Sequence, residues 1–136
     1  MVTPESIAVL FSRILLGMLF IFQGYDKIFN MGINGVIQNI EPFYRRIRIS
    51  NSITVLIAYL TSYIEFIGGM LLFLGIFKYL SLYALGIDLF IVSFGMSLLN
   101  PVWKMDIVIP RFILLIFLLL VPFEYERFNF QKILFN

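Results

Sequence analysis

Apolar residues run along this chain in long blocks separated by short polar stretches. The blocks cover about 7–28, 53–77, 80–99 and 107–123. Each falls within the roughly 17–25 residues that a helix needs to cross hydrocarbon, and the last is the shortest. The joint between the second and third blocks is only Phe77-Lys78-Tyr79. So few residues cannot reach a distant helix, so these two blocks are expected to form an antiparallel hairpin. Pro101 is expected to stop the third helix, and Trp103 beside Lys104 reads as an interfacial anchor. The pattern predicts an all-α fold, an integral membrane four-helix bundle in one transmembrane domain over 1–136.

The stretch 31–52 breaks the pattern. It holds Glu41-Pro42 and the basic run Arg45-Arg46-Ile47-Arg48, and is too polar to span. Apolar residues still recur at Val36, Ile37, Ile40, Phe43, Tyr44 and Ile47. Two readings fit: a segment lying in the membrane interface, or a connecting loop with a solvated basic edge. At the start, Thr3-Pro4 reads as an N-cap and first helical residue. Met1 to Ser6 lacks the basic opening of a secretory signal, so the first helix is expected to be retained. The tail from Glu124 is mixed and aromatic, with Phe128, Phe130, Ile133, Leu134 and Phe135 suited to a membrane surface or a partner.

Composition supports a lipid environment. The chain is 61% hydrophobic and 13% charged, whereas a soluble domain carries about a quarter charged residues. It has no Cys and no His. That excludes thiol–disulfide chemistry and iron–sulfur ligation, and removes the usual haem and metal ligands. A net charge of +2 without a basic stripe gives no footprint for nucleic acid. Basic residues number six on the side of the loops after the first and before the fourth block against four on the other, a narrow margin by which the positive-inside rule favours both termini outside the cytoplasm.

The informative residues are charges placed inside apolar blocks: Arg13, Lys27, Glu65, Asp88 and Arg111. A lone charge at the bilayer centre costs roughly 2.5–3.5 kcal/mol on insertion scales. Several such costs rival the whole stability of a small fold, about 5–15 kcal/mol. These groups are therefore expected to face the bundle interior and find partners. Helical spacing agrees: Arg13, Gly17, Phe20, Gly24 and Lys27 share one face, as do Glu65, Gly68, Gly69 and Leu72. Ser81, Asp88 and Gly95 lie on a third stripe. Small residues on the same stripes allow close helix approach in lipid. By depth, Arg13 is the expected partner of the central acids, with Lys27 nearer the edge and free to snorkel. Gln23, Tyr25, Tyr59 and Tyr63 could add hydrogen bonds or sit at the interface. The network either locks the helices together or lines a polar pocket for a small lipophilic molecule or a proton path.

The run Arg13-Ile14-Leu15-Leu16-Gly17, continuing through Phe20 to Gly24-Tyr25-Asp26-Lys27, resembles the opening pattern of the DoxX family of small four-helix membrane proteins. Glu65-Phe66-Ile67-Gly68-Gly69-Met70-Leu71-Leu72-Phe73-Leu74-Gly75 resembles the second helix of that family. Trp103 to Asp106, then Pro110-Arg111 through Pro122, is similar to a bacterial branch. The resemblance implies a prokaryotic cytoplasmic membrane and singles out Arg13, Lys27 and Glu65. It also implies a link to thiosulfate:quinone oxidation and oxidative-stress systems. The expected role is a non-catalytic accessory subunit of a larger, respiratory membrane complex, in contact with lipid and other subunits. The alternative is a quinone-linked oxidoreductase subunit, with quinone between its helices as the cofactor. Four short helices without a repeat make a poor transporter.

Overall fold

The computed structural model of the chain describes residues 3–99, 105–126 and 128. The fold is helical throughout these residues. Helix α1 covers Pro4–Tyr25 and runs on through a π-helical turn, Asp26–Asn30. Helix α2 covers Gly32–Arg46, α3 Asn51–Leu74, α4 Lys78–Leu99 and α5 Met105–Leu120. A short 3-10 turn, Phe123–Tyr125, follows.

Five helices are present among the described residues, not the four expected, because 31–52 folds. Its apolar residues recur at helical spacing, with Val36 and Tyr44 buried and the charged residues outward. Glu41 and Arg45 form an exposed pair one turn apart, at 2.7 Å. Arg46 donates to the carbonyl of Leu98 on α4, at 2.9 Å, tying down the end of α2.

Three helices are long and apolar enough to cross a bilayer: α1 with its π turn (27 residues), α3 (24) and α4 (21 in the described part). The fourth expected span, 107–123, is shorter than the pattern suggested. At 16 residues and 1.5 Å per residue, α5 is about 24 Å long, less than the ~30 Å hydrocarbon core. Pro122 accounts for its end, since a residue before proline is pushed out of the helical region. Pro101, Trp103 and Lys104 lie outside the described residues, as do Phe130, Ile133, Leu134 and Phe135.

Thr3 caps α1 by accepting from the Ser6 amide at 3.4 Å, with Pro4 inside the first turn. The α3–α4 joint is Gly75 to Phe77 rather than Phe77 to Tyr79. Gly75 takes a left-handed φ of 71°, which lets the Ile76 amide reach the Leu71 carbonyl at 2.9 Å and the Gly75 amide reach Leu72 at 3.0 Å. This is a Schellman ending. It releases Lys78 into the first turn of α4.

Helix α1 packs most closely on α3, and α4 packs on α3 and α5. Helix α2 lies across α3 and α4 near the π turn. Leu16, Phe20, Leu72, Leu82, Leu85, Leu89, Leu115 and Leu118 form the core, all nearly inaccessible. The α1–α3 contact is made at backbone distance by glycines. A Cβ at Gly24 would lie 2.5 Å from the Phe66 amide nitrogen, and one at Gly17 would lie 2.9 Å from Phe73 backbone atoms. Outward residues are large and apolar: Phe11 and Phe22 on α1, Leu56 and Ile67 on α3, Ile87, Phe90 and Phe94 on α4, Ile113 and Leu120 on α5. A surface of this kind fits lipid rather than water as its solvent. The chain is an integral membrane protein on this ground.

Candidate functional site

Two ionic clusters are buried in the fold, one deep between the helices and one at the end where the chain turns from α3 to α4. The deep cluster centres on Glu65, which is 1% exposed. Lys27 Nζ lies 2.7 Å from both Glu65 oxygens. Gln23 Nε2 donates to Oε1, also at 2.7 Å. Gln23 and Lys27 are one helical turn apart on α1, so both side chains reach the same point on α3.

Asp88 lies opposite on α4, fully buried. The Asp88 and Glu65 carboxyls act on each other electrostatically. Neither Asp88 oxygen meets a hydrogen-bond donor among the described residues. Arg111 on α5 completes the group: it interacts electrostatically with Glu65 and Asp88, and its guanidinium lies 5.9 Å from the centre of the Phe20 ring. Two acids thus face two bases, so the deep charges balance as membrane burial requires.

Arg13 is not part of this group, contrary to the sequence expectation. It lies 3.8 Å from Glu126 and donates to the carbonyl of Phe128. Lys78 shares Glu126, at 3.2 Å, and donates to the Val121 carbonyl at 3.1 Å. All three side chains are buried. The reason is depth. Antiparallel α3 sets Gly24 against Phe66 and Gly17 against Phe73, so Arg13 falls level with the α3–α4 joint and not with Glu65. Lys27, expected to snorkel, bends inward to Glu65 instead. Glu126 and Lys78 were not singled out in the sequence. Lys78 sits in the short joint between two apolar blocks, and Glu126 falls beyond the last one. Tyr25, Tyr59 and Tyr63 point outward.

A cleft of about 500 Å³ leads to the deep cluster. Gln23 and Lys27 form part of its wall, with Thr61 from α3 and Val92, Gly95 and Met96 from α4. Helix α2 covers it with Val36, Ile40, Phe43 and Tyr44. The wall is mainly apolar, with Gln23, Lys27, Asn39, Tyr44 and Thr61 as its polar groups. That is the usual make-up of a small-molecule site, and the volume lies within the usual ~300–1,000 Å³. Tyr44 is buried at the edge, 3.6 Å from where a Cβ of Gly95 would stand. Burial pushes its hydroxyl above the usual tyrosine range, and the charge of Asp88 adds to this. Tyr44 therefore keeps its proton and can donate. Tyr44 and Thr61 carried no sequence signal beyond helical spacing.

Comparison with known proteins yields one match. A family model described as DoxX matches residues 8–97, from the first turns of α1 almost to the end of α4. This range holds Lys27, Glu65 and Asp88 but not Arg111 or Glu126. No curated protein and no solved structure matches the chain.

Proposed function

The chain belongs to the DoxX family, and from that premise we propose that it is a small subunit of the prokaryotic cytoplasmic membrane that holds a quinone-like amphiphile between its helices for a larger, respiratory assembly. The observation that carries this reading is the cleft whose inner wall is made by the same two residues, Gln23 and Lys27, that clamp Glu65 at 2.7 Å. An ion pair that served only to lock helices would need no cavity beside it.

The chemistry of the wall suits such a guest. Ile40, Phe43, Ile57, Ile91 and Met96 accept a ring or a tail. Lys27 donates to Glu65 Oε1 at 2.7 Å and, with three N–H groups, can also donate to a ligand. Tyr44 supplies a second donor from α2. The chain itself brings no Cys or His, so a bound quinone would supply the redox chemistry and a partner subunit would exchange electrons with it. The role of this chain is to bind and position.

The test is extraction of the protein purified from native membranes and measurement of bound quinone per chain. Near-stoichiometric quinone is expected in the wild type, with a several-fold loss in Gly95→Leu. A Cβ at Gly95 meets only the Tyr44 hydroxyl, at 3.6 Å, and Gly95 lines the cleft, so a longer side chain there takes up space at the cleft wall. No quinone in the wild type, or equal quinone in the variant, defeats the proposal.

A further inference from the structure

Exposed positive charge is gathered at one place on this protein. Among the described residues, the exposed basic side chains are Arg45, Arg46 and Arg48. Arg13 and Lys78 are buried against Glu126 at the opposite end of the bundle. Lys27 turns inward to Glu65, and Arg111 is half-buried. The three arginines end α2, which joins the π turn after the first span to the start of α3. Arg46 donates to the Leu98 carbonyl at 2.9 Å, and Leu98 stands at the end of the third span. The basic run is therefore level with the ends of the membrane-crossing helices, where the polar head groups of lipids begin.

The backbone at Arg48 adds a second observation. Its φ is 56°. The Ile49 amide reaches the Tyr44 carbonyl at 3.0 Å, and the Arg48 amide reaches the Arg45 carbonyl at 3.1 Å. This is a Schellman ending, as at Gly75, and its left-handed position is one that glycine fills at no steric cost. Arginine sits there against the preference of the backbone. The turn gains nothing from it that glycine would not supply, so what the side chain contributes is its charge.

The three arginines differ in what they offer a ligand. Arg45 shares its charge with Glu41 at 2.7 Å. Arg46 uses one of five N–H groups on Leu98. Arg48 has no ion-pair partner among the described residues. The other acids exposed at this end, Asp26 and Asp106, belong to the π turn and α5, and Asp26 accepts from Asn30 at 2.9 Å. A phosphate group fits this surface, because a guanidinium can give it two parallel N–H bonds, and closely set basic residues at the hydrocarbon edge attract anionic lipid.

We infer that the basic end of α2 is a docking surface for the head groups of anionic phospholipids, with Arg48 as its principal contact. The inference does not depend on what occupies the cleft.

The probes are dioleoylphosphatidylglycerol and dioleoylphosphatidylcholine, which share their tails and differ in net charge. Binding to the full chain in detergent micelles is titrated by native mass spectrometry, which resolves each lipid bound per chain. The wild type is expected to take its first phosphatidylglycerol about tenfold more tightly than its first phosphatidylcholine, since one arginine beside an anionic lipid is worth roughly fivefold and more than one takes part. Arg48→Gly is expected to lower that preference by about fivefold, with thermal stability unchanged or raised because glycine suits the turn. Arg48→Lys keeps the charge and is expected to retain a larger preference than Arg48→Gly. Equal binding of the two lipids by the wild type overturns the inference, as does a preference unchanged in Arg48→Gly. A preference lost together with stability in Arg48→Gly marks a structural arginine and overturns it too.

Discussion

Gly24→Ala is expected to destabilise the protein although alanine is the better helix former. The added Cβ would stand 2.5 Å from the Phe66 amide nitrogen and 2.7 Å from its Cα. Ordinary contact needs about 3.5–4 Å, so α1 and α3 must part by about 1 Å. No side-chain rotation relieves this, because the obstructing atoms are backbone. Overpacking of this kind costs about 1–3 kcal/mol, against a gain of at most about 1 kcal/mol from helix propensity. Gly86→Ala is the matched control. Its Cβ would meet only Leu115 methyls, at 3.7 Å, so it gains the propensity without the clash. The propensity gain is common to both, so the two variants should differ by the overpacking cost, about 1–3 kcal/mol, in reversible unfolding in mixed detergent micelles, with Gly24→Ala the weaker. Equal stability, or a more stable Gly24→Ala, would refute the claim that backbone contact at glycine holds α1 to α3.

Three further outcomes follow from the charges. Lys27→Met leaves Glu65 without its cation and should cost about 3 kcal/mol, at the low end for a broken buried pair because Lys27 is 18% exposed; Lys27→Met with Glu65→Gln should lose less than the sum of the single losses, and strict additivity would show that the two do not interact. Glu126→Leu strands Arg13 and Lys78, so it should lower thermal stability by a similar amount and speed proteolysis after α5, whereas unchanged proteolysis would show that the tail is held by something else. Tyr44 should ionise above the usual tyrosine range. Because its folded value is raised, the stability it lends is complete below the ordinary tyrosine pKa and is lost as pH rises through the higher value. The difference absorbance titration between wild type and Tyr44→Phe reads this midpoint, and a midpoint within the ordinary tyrosine range contradicts the burial.

The all-helical membrane fold and its buried stripes were legible because lipid imposes a strong rule. Outward positions must be apolar, so any charge in an apolar block has to turn inward. Arg13, Glu65 and Asp88 are buried on the faces that spacing assigned them. Pairing was less legible, since it depends on relative depth, and depth depends on the register between helices. One turn of α1 decides whether Arg13 or Lys27 meets Glu65, and the apolar blocks do not contain that register. It is set by the glycines: Gly24 against Phe66 leaves room for one alignment at backbone distance. Helix α2 was half legible, because its apolar residues recur at helical spacing while Pro42, Gly32 and Gly35 argue for a loop. The π turn at Asp26–Asn30 had no sequence signal, as the apolar rhythm passes through it unbroken.

The same register joins packing to the site. Gln23, Gly24 and Lys27 are within five residues, and the glycine that brings α1 to α3 lies between the two side chains that clamp Glu65. Close approach is what makes the 2.7 Å bonds from Lys27 and Gln23 to Glu65 available at that depth. A change that opened the α1–α3 contact by 1 Å would stretch the Lys27 and Gln23 bonds beyond good hydrogen-bond length. Loss of stability and loss of ligand binding should therefore appear together in variants of Gly17 and Gly24, and separately in variants of Gly95, which borders the cleft and where an added Cβ would come within 4 Å of the Tyr44 hydroxyl alone.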